Sequence, residues 1–163
     1  MHLSRILAVA GRLFVGGVFL LYGLLKLSGG QFIPGDFAFD SRTDNPVVLV
    51  WHFYGYSPVY HRFIGAAECL PAVLLLWPRT AALGAVLAFP VAVNIAVMDW
   101  CFGFPLPATL LVTAMAVVSG WLLWHDRAKL LRLCGRDIPD PTKLAEPLSW
   151  PTDLIENENP GAG

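Results

Sequence analysis

The stretch FIGAAECLPAVLLLW, residues 63–77, decides how the rest of the chain is read. It is apolar enough to lie in hydrocarbon, yet it carries Glu68, a side chain that is costly there unless neutralised. Such a run reads as the body of a membrane-spanning helix whose polar group faces the inside of a bundle. The question it sets is what lies opposite the acid.

Around this run, three further segments come near the roughly 20 mostly apolar residues that a helix needs to cross a bilayer. The four cover approximately Ile6–Leu27, Arg62–Trp77, Thr80–Met98 and Leu106–Trp124. Composition agrees. Of the 163 residues, 56% are hydrophobic and only 14% charged, against about 25% charged in a typical soluble domain. Mean hydropathy is +0.59. A net charge of −1 offers no basic surface of the kind that binds nucleic acid. The expected fold is all-α, an integral membrane four-helix bundle, with the lipid bilayer as its first partner. Arg12 breaks the first apolar run and no small-residue cleavage site follows it, so that segment is expected to remain as a helix rather than leave as a signal peptide.

Lysine and arginine set the orientation. Arg5, Arg12, Arg79, Arg127, Lys129, Arg132, Arg136 and Lys143 fall on one side, and Lys26, Arg42 and Arg62 on the other. The excess belongs inside, which puts both termini in the cytoplasm of a bacterial inner membrane. Trp77 and Trp124 then mark inner helix ends, Trp51 and Trp100 the outer interface. The transmembrane domain is expected over residues 1–134. Residues 135–163 form a proline-rich acidic tail that cannot bury much apolar surface and is expected to be disordered unless a partner orders it through Trp150 or Leu154-Ile155. Just before it, HDRAKLLRLCGR (125–136) reads as a basic amphipathic stretch lying on the anionic inner leaflet.

The connection from Ser28 to His61 is long for a bundle and so has a task of its own. Its second half, VVLVWHFYGYSPVYHRF (47–63), is loaded with rings that favour the headgroup level, which predicts an outer interfacial cap between the first and second spans. The short turns at Pro78-Arg79 and DWCFGFPLP (99–107) make the second, third and fourth spans successive antiparallel neighbours.

At 1.5 Å per residue, Glu68 lies roughly 9 Å below the outer face, Asn94 roughly 6–9 Å and Tyr22 roughly 6–8 Å, with Lys26 just above Tyr22. On the first span, Arg12, Gly16, Phe19, Gly23 and Lys26 make one stripe, and Gly65, Glu68 and Ala72 a comparable one on the second. The glycines allow close approach. Lys26 can therefore reach Glu68, with Tyr22 and Asn94 expected as hydrogen-bond partners. Arg12 is too far inward to serve and is expected to snorkel to the inner face. Asp99, five residues past Asn94, is off its face and is placed in interfacial water. His61 and Arg62, at the mouth of the second span, could meet an anionic ligand or simply cap the interface. The layer could bind a small polar ligand, relay a proton or hold a quinone headgroup. A buried polar layer also serves merely to fix helix register.

Redox and metal chemistry have weaker support. Cys69, Cys101 and Cys134 form no C-x-x-C and read as free thiols. None of His2, His52, His61 and His125 is central in a span, which speaks against a haem ligated from facing helices, and no metal is expected.

Three blocks together resemble the DoxX-like membrane proteins: GRLFVGGVFLLYGLLKLSG (11–29), YGYSPVYHRFIGAAECLPAVLLLWPRTAALGA (54–85) and FPVAVNIAVMDWCFGFPLP (89–107). The resemblance covers roughly residues 10 to 126, with the YSP turn, the glutamate and Arg79-Thr80 as its specific points; Cys69 and Pro71 depart from the usual apolar pattern. It implies a four-helix bundle in the bacterial inner membrane, and some relatives are small subunits of quinone-linked oxidoreductases, including thiosulfate:quinone types. With no complete catalytic constellation in the chain, the leading expectation is an accessory subunit docked to other membrane protein subunits in a redox complex. A quinone-interacting oxidoreductase component comes second. A small proton-coupled transporter ranks third, since four helices without inverted repeats are a thin scaffold for alternating access.

Overall fold

In the computed structural model, residues 2–133 are described; the expected tail (135–163) and Cys134 lie outside them. The described chain is all helical, in the order α1 (His2–Leu27), α2 (Pro46–Gly55), α3 (Pro58–Leu76), α4 (Ala81–Phe102) and α5 (Leu106–Leu133). α1, α3, α4 and α5 are each long and apolar enough to cross a membrane. The protein is a multi-pass membrane protein built as a four-helix bundle, with α2 as a fifth, short helix at the outer end.

Local chemistry sets the boundaries. Asn45 caps α2, its side-chain oxygen accepting from the Val47 N–H at 2.9 Å, and Pro46 supplies the preset first-turn φ. Ser57 and Pro58 do the same for α3, with the Ser57 hydroxyl accepting from the Tyr60 N–H at 3.3 Å. That capping starts α3 at Pro58, earlier than the expected Arg62. α4 runs past the expected Met98 to Phe102 and stops at Gly103, whose φ of 69° is open to glycine at little cost. Between α3 and α4, the Thr80 hydroxyl donates to the Leu74 carbonyl at 2.9 Å and pins the inner turn.

One expectation fails at the inner end. Residues 125–133 do not form a separate surface stretch; α5 continues through them without a break. The reason is Asp126, which faces into the bundle and is held there by cations, so the helix keeps a buried face beyond Trp124.

α1 and α3 share the most extensive contact, and α4 lies against α3. α1 and α3 touch backbone to backbone: a Cβ on Gly23 would come within 2.9 Å of the Gly65 carbonyl, and one on Gly65 within 2.8 Å of the Gly23 carbonyl. This is the close approach that small residues permit between spans. α4 presents a stripe of alanines, Ala81, Ala85, Ala88, Ala92 and Ala96, all buried. The core is completed by Val15 and Phe19 of α1, Ala72 and Leu75 of α3, and Met115 and Leu122 of α5. Trp77 and Trp124 stand exposed at one end, Trp100 at the other, where its indole N–H donates to the Thr113 hydroxyl at 3.1 Å.

Candidate functional site

The outer site is built around one ion pair. Lys26, in the last turn of α1, donates to both oxygens of Glu68 on α3, at 2.5 and 2.6 Å. Glu68 is 1% exposed and Lys26 7%. The Gly23–Gly65 approach explains the fit, because it brings the two helices close enough for the lysine stem to fold down onto the acid. A carboxylate bound at both oxygens by an ammonium is the neutralised form in which an acid persists inside a membrane bundle.

Aromatic rings cover this pair. The Phe32 ring, from the outer connection, lies 5.9 Å from the Lys26 ammonium, within cation–π range. Phe32 in turn meets Trp51 of α2 at 5.7 Å and Tyr54 of α2 at 5.2 Å, and Trp51 meets Phe104 of the second outer turn at 5.6 Å. The expected cap is thus a lid assembled from the two outer connections, with α2 as its main piece. Tyr54 lies within the charge field of Glu68; burial first, then Tyr60 and Glu68, push its hydroxyl above the ordinary tyrosine range.

The remaining expected site residues divide. His61 is buried beneath the lid, its ring 6.5 Å from that of Phe32. Arg62, one residue on, is exposed. Asn94 is not a partner of Glu68: it lies on the face opposite the alanine stripe, is exposed, and lines a cavity between α2 and α4. Tyr22 is 37% exposed at the rim of α1 and makes no hydrogen bond to the pair. Asp99 is not in interfacial water. It is 4% exposed and within the charge field of Lys26. Measured from Asn94 it is off-face; measured from Ala92 and Ala96, seven and three residues earlier, it ends the buried stripe.

A second ionic centre, missed in the sequence, ties α1 to α5 at the inner end. Arg12 does not snorkel; its Nη2 donates to Asp126 at 2.7 Å, and Lys129 donates to the other oxygen at 2.8 Å. His125 Nδ1 lies 3.3 Å from the same carboxylate. The signal was present in the spacing of Met115, Ser119, Leu122 and Asp126, which share one helical face. It was hidden by ending the helix at Trp124.

The chain is 43% identical over 133 residues to the uncharacterized protein YwoB of Bacillus subtilis (strain 168), a match that spans 82% of this chain and 85% of the relative. The chain belongs to the YwoB family. The YwoB match extends over a length comparable to the whole described bundle, so the two proteins share more than one span or one loop. No family model matches the chain. No solved structure matches it.

Proposed function

We propose that this YwoB-family protein is a small integral subunit of a larger complex in the bacterial cytoplasmic membrane, a complex of redox type, with both chain ends in the cytoplasm. The observation that carries this reading is the outer rim. Phe53 and Tyr56 of the cap and Val59 and Phe63 of early α3 stand 58–77% exposed beside a groove of about 450 Å³ lined by Phe37, Leu49 and Tyr60. A contiguous apolar face at the membrane boundary, held by a built cap, suits contact with another subunit. The resemblance to DoxX-like proteins favours a redox partner, and the excess of cations at the inner side favours the orientation. Extraction from native membranes in a mild detergent, followed by native mass spectrometry, is expected to recover the chain in stoichiometric association with a cofactor-bearing subunit. Recovery of the chain alone or only with itself refutes the reading.

A specific observation favours a second reading, contact with a quinone. The cavity between α2 and α4, about 350 Å³, is walled by Leu49, Phe53, Met98 and Phe102, with the Asn94 carboxamide and Tyr54 as its polar points. A mostly apolar cleft with a few polar groups suits a ring with a hydrogen-bonding head and an apolar tail. Binding of a short-chain quinone to the purified protein should weaken at least tenfold in Asn94→Leu. Unchanged affinity in that variant removes the quinone from this cleft.

A further inference from the structure

The outer site contains one ammonium and two carboxylates. Lys26 is committed at both oxygens of Glu68, while the side chain of Asp99, 4% exposed, has no hydrogen bond or ion pair among the described residues. Asp99 ends the alanine stripe of α4, the same face that lies toward α3, and the charge it feels is that of Lys26. The titratable groups of the outer site are Lys26 from α1, Tyr54 from α2, and Glu68, Cys69 and His61 from α3, and of these Lys26 is the one tied to Asp99. Lys26 supplies the ammonium that Glu68 already binds. A second ionised carboxylate so placed would be a buried charge without a counter-charge, the arrangement proteins avoid by keeping a proton on the group.

We propose that Lys26, Glu68 and Asp99 form one three-membered site that holds a single exchangeable proton, shared between two carboxylates competing for one ammonium. With Lys26 on Glu68, the proton resides on Asp99. When the ammonium swings to Asp99, the Asp99 carboxyl gives up its proton and the freed Glu68 carboxylate takes one up, so the net charge is unchanged and a proton has moved from α4 to α3. The flexible stem of Lys26 and its position in the last turn of α1 suit it to serve both. This site exists whether or not the chain sits in a larger complex.

Infrared difference spectra of the full chain in lipid nanodiscs, in water and in heavy water near neutral pH, test this directly. The wild type should show one protonated, deuterium-exchangeable carboxyl band per chain. Both Asp99→Asn and Glu68→Gln should abolish it, because the carboxylate that remains is then matched to Lys26. Lys26→Met should raise it about twofold. No such band in the wild type, a measurement that needs no variant to fold, overturns the proposal, as does a band that survives in either near-isosteric variant.

Discussion

Removing the ammonium at position 26 is the sharpest test of how the bundle is held. Lys26→Met keeps most of the side-chain volume in place against Phe32, so little cavity forms, but both hydrogen bonds to Glu68 disappear. Breaking one side of a buried ion pair costs about 3–5 kcal/mol, because the surviving charge is left in a poorly polarisable interior. Here the carboxylates can recover part of that by taking up protons, which places the expected loss near 3 kcal/mol, with about 0.5 kcal/mol more from the lost cation–π contact. The penalty should shrink at acid pH, since the protons that the two buried acids must take up in this variant cost less free energy there. Lys26→Met combined with Glu68→Gln should recover most of the loss, ending within about 1 kcal/mol of the wild type, because no charge is left to strand. Reversible unfolding in mixed micelles, run as a double-mutant cycle at neutral and acid pH, gives all four values. A single variant within about 0.5 kcal/mol of the wild type, or a double variant no better than the single, would refute the reasoning.

Other perturbations follow from the same contacts. Gly23→Ala drives a Cβ to 2.6 Å from Cys69 Sγ and 2.9 Å from the Gly65 carbonyl. The thiol can turn but the backbone cannot, so a loss of about 1–3 kcal/mol is expected in thermal unfolding, with Gly17→Ala, which meets nothing, as the silent control. Arg12→Met leaves Asp126 with Lys129 but removes the ionic tie between α1 and α5; a loss of about 2 kcal/mol is expected. Hydrogen exchange in that variant should rise at the inner ends of those two helices and not at the lid. Tyr54, raised above the ordinary tyrosine range, keeps its proton longer in the folded than in the unfolded chain. Its contribution is therefore intact below the unfolded value and is lost as pH climbs through the folded one. Spectrophotometric titration should show one late-ionising tyrosine that disappears in Tyr54→Phe.

The spans were legible because a bilayer demands long apolar runs, and the cap because Trp51, Phe53 and Tyr54 crowd rings that favour the headgroup level into one connection. The Lys26–Glu68 contact was legible too, from matched depth and matched glycine stripes. Depth alone did not suffice elsewhere. Asn94 lies in the right layer but on the wrong side of α4, since the side-chain direction there is set by Ala92 and Ala96, small residues that carry little hydrophobic signal of their own. Asp99 was misplaced for the same reason. The Arg12–Asp126 pair joins residues 114 positions apart, and nothing in local periodicity says that the first and last spans are neighbours.

The ion pair between α1 and α3 also bears on how the chain enters the bilayer. Of the four spans, α3 is the least apolar, and its acid would resist partition into lipid as an isolated helix. The lysine that neutralises it emerges 42 residues earlier in synthesis. A nascent α3 thus meets a waiting counter-ion beside a glycine seat, and its insertion is assisted by the span already there. Separating α1 from the remainder, as in a split-chain expression, would be expected to strand α3 at the membrane surface until the first helix is supplied in trans.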